Sequence, residues 1–274
     1  MDEGYSVSLT AGSLGYILRE SFTVEPNPPL YFVLLHVWRM AAGDTEYAIR
    51  FLSVMPSVAA VAGMYAAARR LAGHRAALLA AALPAVNPYL VWLAQEARMY
   101  SWALLWVVLG VYFLVRGLSG ARRWDWLLFT FANLLAVYTH LYSAFVVTAE
   151  AVYLLAIRRP KWLAGTVVTG VLFLPWFVSV TTYAGETSTW RGFVGVWDML
   201  RLLAMNFASQ GHLPGPGDDA FALLLSLAAL AGAVAMRRRA LPLLWLLLPV
   251  AAVYALSFKE PLFSPRYFIV VLPA

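Results

Sequence analysis

Apolar runs recur along this chain at 48–68, 76–93, 99–117, 124–139, 141–157, 162–182, 219–236 and 241–257, and a further run starts at Tyr267 and continues to Ala274. A helix that crosses a bilayer needs about 17–25 mostly apolar residues. This repeated length constrains the chain more than any single motif does. The segment 124–157 could be read as one helix, but at 1.5 Å per residue it would be roughly 50 Å long against a hydrocarbon core of about 30 Å. Polar side chains at Tyr138-Thr139-His140 suit an interface, so the spacing predicts a break there.

Charge placement supports that break. Arg69, Arg70 and Arg75 fall in one turn, and Arg116, Arg122 and Arg123 fall two crossings later. Arg158, Arg159 and Lys161 come after two more crossings, and Arg237, Arg238 and Arg239 after another two. With the break, all four clusters share one face, which the positive-inside rule makes cytoplasmic. Without it, the last two clusters change sides. The opposite face then carries twelve of the fourteen acids and eight of the twenty basic residues. The net charge of +6 is therefore a topology signal. No nucleic-acid partner is expected, because scattered loop arginines make no continuous basic surface. At 62% hydrophobic and 12% charged residues, the chain holds more apolar surface than a water-soluble core could enclose. No strand-period alternation is present, which disfavours a membrane barrel. With no cysteine, disulfides, thiolate nucleophiles and zinc–sulfur sites are excluded.

The expected fold is thus all-α: a polytopic transmembrane helix bundle with extracytoplasmic surface helices, in one membrane-embedded domain. Residues 1–45 form an extracytoplasmic loop with two interfacial helices, 46–182 transmembrane helices, 183–218 a second extracytoplasmic loop, and 219–274 further transmembrane helices. Val7, Ala11, Leu14 and Leu18 lie on one helical stripe and predict the first surface helix. Leu30 to Met40 predict the second, with Asn27 as its cap and Pro28 in its first position. Asp2-Glu3 follows Met1 with no apolar segment before it, and the last run stops at Ala274. The chain is expected to be truncated at both ends, lacking an upstream span.

Most chemistry-capable residues fall at the acidic face. Asp2-Glu3 is a carboxylate pair that could act as a general base, hold a divalent cation through oxygen ligands, or simply be solvated. Gln95-Glu96-Ala97-Arg98-Met99-Tyr100 is a tight polar turn between two spans, and such a cluster is costly unless paired. Its bland reading is an ion pair closing a hairpin, with Tyr100 as interface anchor. Glu46 and Arg50 stand in the favourable order for an i,i+4 pair, though a guanidinium there could also face a phosphate. Arg266-Tyr267 allows the same two readings. His140 could ligate a metal, donate to a phosphate or hydrogen-bond at the interface. Glu150 lies within a span and is a functional candidate on that ground, or a protonated acid, or one paired with a hydroxyl on a neighbouring helix. The loop 183–218, with Trp190, Trp197, His212 and Gly215-Pro216-Gly217, is long enough for a lid or a substrate-reading element.

The order of these pieces resembles a known family. Asp2-Glu3 is followed by Asn27-Pro28-Pro29-Leu30-Tyr31, Gly43-Asp44-Thr45-Glu46 with Arg50 and Ser53, Gln95-Glu96-Ala97-Arg98-Met99-Tyr100, Thr139-His140 and Pro265-Arg266-Tyr267. The chain resembles polyprenyl-phosphate-sugar-dependent glycosyltransferases of the GT-C type. Among them it is most like the bacterial and archaeal relatives of dolichyl-phosphate-mannose protein mannosyltransferases and of aminoarabinose lipid A transferases. The resemblance implies a GT-C-like fold in the cell membrane and a sugar delivered on a polyprenyl phosphate among the membrane lipids. It also implies transfer at the extracytoplasmic face to an acceptor protein, lipid or glycan. Asp2 would match the catalytic aspartate, with Glu3 beside it. Arg50, Arg98 and Arg266 would neutralise the donor phosphate, and Glu46, Gln95, Glu96, Tyr100, His140 and Tyr267 would support them. Two departures stand out. Members normally have a span before the Asp-Glu pair, and many read His-Pro-Pro where this chain has Asn27-Pro28-Pro29.

Two other classes compete. A transporter or lipid flippase would carry its polar groups near the midplane on interrupted, repeated helices. Here Glu150 is the lone midplane acid and no repeat is visible. A scaffold that keeps the fold without the activity is the second rival. No glycine-rich phosphate loop points to a soluble nucleotide sugar.

Overall fold

The computed structural model describes residues 2–120, 122–183, 192–209, 216–235 and 240–274. Among these every regular element is a helix: α1 (Asp2–Thr10), α2 (Leu14–Thr23), α3 (Leu30–Ala42), α4 (Glu46–Ala72), α5 (His74–Val86), α6 (Pro88–Gln95), α7 (Tyr100–Leu118), α8 (Arg123–Thr139), α9 (Ser143–Ala156), α10 (Pro160–Tyr183), α11 (Val196–Ser209), α12 (Pro216–Ala235) and α13 (Ala240–Leu256). A 3-10 segment, Pro265–Val271, follows.

By length and composition α4, α7 and α10 can each cross a membrane, and α5 with α6 passes as a pair bent by 57°. The bend has a local cause. Pro84 withholds a backbone donor near the end of α5, Asn87 caps α6 by accepting from Leu90 N at 3.0 Å, and Pro88 fills the first position of the new helix. The run 76–93 is therefore two helices, not one. At 14 residues, α9 is only about 21 Å long, and α13 at 17 residues about 25 Å, both short of a typical hydrocarbon core.

Side-chain pairs fix how the helices run. Ser53 Oγ donates to Arg98 O at 3.2 Å near the start of both α4 and α7, and Arg70 lies 5.6 Å from the Tyr112 ring near their ends, so these helices are parallel. Arg116 with Asp125 joins the end of α7 to the start of α8, making that pair antiparallel. Asn133 Nδ2 donates to Glu150 Oε2 at 2.5 Å, across an antiparallel α8–α9 hairpin that turns at His140. Tyr138 Oη donates to Leu172 O at 2.7 Å and Phe129 packs on Trp162, so α10 returns parallel to α8. The beginnings of α4, α7 and α9 consequently share one end of the bundle, while Arg70, Arg116 and Arg122 share the other. The single-helix reading of 124–157 fails because His140, Leu141 and Tyr142 turn the chain back.

Glycine stops two helices. Gly43 ends α3 at φ 83° and Gly73 ends α4 at φ 88°, and their N–H groups return to Arg39 O and Arg69 O.

The first forty-four residues differ from expectation. They hold three helices, because α1 stops at Thr10 and Ser13 caps α2 by accepting from Tyr16 N at 3.3 Å. The stripe Val7, Ala11, Leu14 and Leu18 is broken at that corner. Leu14 and Leu18 are exposed, and the buried apolar residues are Leu9 and Ile17. Asn27 does not cap α3, which begins at Leu30 after Pro29. Its side-chain amide and its backbone N–H both go to Glu25 Oε1. Trp176 Nε1 to Ser21 O (2.7 Å) and Ser179 Oγ to Phe22 O (2.6 Å) tie α2 to α10.

The stretch 183–218 is not all loop. It contains α11, which buries Met199, Leu203 and Ala208 and docks on α6 through Asn87 Nδ2 to Phe207 O at 2.6 Å. Trp197 projects from α11 at 80% exposure. Trp190, His212 and Gly215 lie outside the described residues.

Candidate active site

The site is assembled where the beginnings of α1, α4, α7 and α9 meet the 3-10 segment. Thr45 starts α4 as its N-cap, accepting from Ala48 N at 3.2 Å, and one turn later Arg50 leaves the helix. Its guanidinium meets Glu46 and Glu3, each at 3.0 Å. Glu3 comes from the first turn of α1. Its second oxygen, Oε1, accepts from Ala97 N at 2.7 Å, in the turn between α6 and α7. One carboxylate thus bridges the first helix, the first long apolar helix and the Gln95–Tyr100 turn.

Arg98 is buried at 6% exposure and donates to Ser6 Oγ at 3.2 Å, one helical turn after Glu3. Arg266 reaches the same turn from the far end of the sequence. It stands 3.6 Å from Glu96, its guanidinium lies 4.6 Å from the Trp92 ring centroid, and Tyr89 Oη donates to the neighbouring Pro265 O at 2.7 Å. Arg50 and Arg266 are each about 40% exposed. Arg98 is covered.

Behind these charges lies an aromatic floor. His140 is 2% exposed and its ring centroid is 5.9 Å from Tyr100, 5.5 Å from Tyr142 and 5.5 Å from Tyr267. Its Nδ1 accepts from Tyr142 N at 3.3 Å. Burial pushes the imidazole down to about 3, and the Arg98 cation adds to the shift, so the ring is neutral at physiological pH. A neutral, enclosed histidine packs the floor and is no cationic phosphate donor. Tyr142 Oη donates to Leu262 O at 2.5 Å, which holds the segment carrying Arg266 against α9.

The sequence-derived candidates are therefore mostly neighbours in space. Glu3, Glu46, Arg50, Glu96, Arg98, Tyr100, His140, Arg266 and Tyr267 gather at one end of the bundle. Asp2 opens α1, and its side chain lies outside the described residues. Gln95 is exposed at the end of α6. Glu150 is remote from this cluster: it is buried between α8 and α9, and its partner is an amide, not a hydroxyl. Sequence reasoning missed Ser6 and Trp92. Ser6 lies three residues after Glu3, so helical spacing alone places both on one face. Trp92 had no signal beyond being four residues before Glu96.

The described side chains do not compose a divalent-cation site. Both oxygens of Glu3 are used by Arg50 and Ala97 N, and among the described residues no group of three or more His, Cys, Asp or Glu is gathered. What the arrangement offers is fixed positive charge. Two half-exposed guanidiniums are held by carboxylates and an indole face at the mouth of the site, with a third buried behind α1.

Two solved structures share this architecture. ArnT from Cupriavidus metallidurans in the apo state is 19% identical with a TM-score of 0.68, over 98% of this chain and 51% of that one. ArnT from the same organism bound to undecaprenyl phosphate is 20% identical with a TM-score of 0.69, over 100% of this chain and 53% of that one. The present chain thus spans about half the length of the structures it resembles, and at this identity the likeness concerns the fold. No curated protein sequence matches the chain. The family model described as dolichyl-phosphate-mannose-protein mannosyltransferase matches residues 26–183, more than half of the chain, from the Asn27-Pro28-Pro29 corner through Arg50, Arg98 and His140 to the end of α10. The chain belongs to the dolichyl-phosphate-mannose-protein mannosyltransferase family, of the GT-C type.

Proposed function

We propose that this protein is a membrane glycosyltransferase that moves a sugar from a polyprenyl-phosphate donor to an acceptor at the extracytoplasmic face. The observation that carries the reading is the convergence of Arg50, Arg98 and Arg266 with Glu3 and Glu96 at one end of an apolar bundle. An isoprenoid tail can lie along lipid-facing helices while its phosphate reaches that end. Family membership supports the transferase class, and the undecaprenyl phosphate bound to ArnT supports the donor class.

The reaction needs little covalent chemistry from the chain. An acceptor oxygen attacks the anomeric carbon, the bond from that carbon to the phosphate oxygen breaks, and the polyprenyl phosphate departs with the electron pair. A base takes the acceptor proton, and a single displacement inverts the anomeric centre. Asp2 is assigned as that base. Glu3 holds the first turn of α1 in register by bridging Arg50 and Ala97 N. Arg50 and Arg266 face the departing phosphate, where preorganised positive charge stabilises what develops in the transition state. Arg98 acts from behind, anchoring α1 through Ser6.

The test is turnover of a polyprenyl-phosphate sugar by the full chain in liposomes. Asp2→Asn is expected to abolish transfer while donor lipid still co-purifies. Wild-type turnover in that variant removes Asp2 from the mechanism. The rival flippase reading predicts movement of intact lipid between leaflets with no consumption of donor.

A further inference from the structure

At the end of the bundle opposite the candidate active site, α4, α7 and the start of α8 border an open cavity of about 360 Å³. Its walls are Arg70, Tyr112, Arg116, Ser119, Arg122 and Asp125. That volume falls within the roughly 300–1,000 Å³ range of small-molecule sites. About twenty residues of α4 separate Arg50 from Arg70, a distance of roughly 30 Å along the helix. The two sites therefore sit about one hydrocarbon thickness apart.

The cavity has a built wall. Asp125 is fully buried and occupied on both oxygens: Arg116 Nε donates to Oδ1 at 2.7 Å, and Arg122 N donates to Oδ2 at 3.1 Å. This fixes Arg116 with its guanidinium 5.3 Å from the Tyr112 ring, and Arg70 stands 5.6 Å from the same ring. Tyr112 thus spaces two guanidiniums at the cavity, and Arg122 supplies a third cationic side chain from the start of α8. Three positive charges face one carboxylate that is already used within the wall. The excess is positive, and guanidinium forks suit phosphate oxygens. Arg70 and Arg122 are both exposed at the rim. Exposed Trp124, in the first turn of α8, is the kind of residue that sits at the headgroup level of a bilayer.

We propose that this cavity is a second ligand site, which takes the phosphate-bearing headgroup of an anionic phospholipid from the leaflet at the arginine-rich end. Headgroup binding there ties the ends of α4 and α7 to the start of α8. The same α4 and α7 carry Arg50 and the Gln95–Tyr100 turn at their other ends. The assignment does not depend on the reaction proposed above.

The test is native mass spectrometry and thermal denaturation of the full chain in a neutral detergent. The probes are phosphatidylglycerol, phosphatidylcholine and inorganic phosphate. Phosphatidylglycerol is expected to be retained and to raise the melting temperature, and the other two are expected to do neither. Arg70→Gln and Arg122→Gln should each weaken phosphatidylglycerol retention about fivefold, the order contributed by one arginine at an anionic surface. Arg75→Gln, an exposed arginine at the same end but outside the cavity, should leave retention unchanged. Equal retention of phosphatidylcholine overturns the proposal. So does an Arg75→Gln effect as large as that of Arg70→Gln, which would mean diffuse surface attraction. Reproduction of the shift by inorganic phosphate alone overturns the lipid assignment in favour of a free anion.

Discussion

Glu3 stands 3.0 Å from Arg50 and, through its other oxygen, 2.7 Å from the backbone nitrogen of Ala97, so a single carboxylate ties α1 to both α4 and the α6–α7 turn. The two side chains are 41% and 34% exposed, and such pairs contribute on the order of 0–1 kcal/mol. Their value lies in position. Removing charge from Arg50 should therefore barely move stability while it removes stabilisation of the leaving phosphate. Arg50→Gln and Arg266→Gln are each expected to keep the melting temperature within a few degrees and to lower turnover by about 10²–10³, the cost typical of one lost transition-state donor. Turnover that stays near wild type would reduce both to structural ion pairs.

His140 makes stability depend on pH. Its imidazole is pushed from 6.5 down to about 3 in the folded chain, so below pH 6.5 the unfolded chain takes up a proton that the folded chain refuses. The contribution is full above 6.5 and declines as pH falls towards 3, by up to about 1.4 kcal/mol per pH unit. Thermal denaturation of wild type and His140→Gln across pH 7 to about pH 4.5 checks this. The variant should lose less stability on acidification. Parallel curves would contradict the buried, neutral state.

Gly110 on α7 faces Asn133 so closely that a Cβ there would stand 2.5 Å from Asn133 Oδ1. Asn133 also donates to Glu150, whose Oε1 has no hydrogen-bond partner among the described residues. Gly110→Ala should push Asn133 off Glu150 and cost about 1–3 kcal/mol, the usual range for overpacking a tight core. Asn133→Ala should relieve the clash, so the double variant is expected to be less destabilised than the sum of the two. Additive losses in thermal denaturation would place Asn133 elsewhere.

With no cysteine in the sequence, single-cysteine variants report sidedness without background. Cysteines at Glu46 and Gln95, both exposed at the candidate active-site end, should react with an impermeant thiol reagent from outside intact cells. Cysteines at Arg70 and Arg75 should react only after the membrane is opened. Labelling of Gln95 and Arg75 from the same side would break the topology.

Much of this was legible in the sequence, and for identifiable reasons. Helix positions followed apolar run lengths, and the turn at His140 followed from the length limit and from where Arg158, Arg159 and Arg237 had to lie. The gathering of Arg50, Arg98 and Arg266 came from motif order in the family resemblance; spacing alone left each as a local ion pair. The rest depended on tertiary packing. Pro84 and Asn87-Pro88 signalled a break inside 76–93, but hydrophobic length masked it. The apparent stripe from Val7 to Leu18 had the right period, yet Ser13 capped a new helix and turned Ile17 inward instead. Glu25 captured Asn27, a residue whose own chemistry suits a helix cap, and α3 starts three residues later, after Pro29 in a helical turn conformation. Glu150's choice of an amide over a hydroxyl was set by the close approach that Gly110 allows.

The central claim is that the end of the bundle bearing Arg50 and Arg266 breaks a sugar–phosphate bond. It is tested most directly with a polyprenyl-phosphate sugar labelled separately in the sugar and in the phosphate, supplied to the full chain in liposomes with acceptor. The account predicts that the two labels part, the sugar label moving to acceptor and the phosphate label staying with the lipid, and that Asp2→Asn prevents the parting. Labels that remain together while the lipid changes leaflet would contradict it.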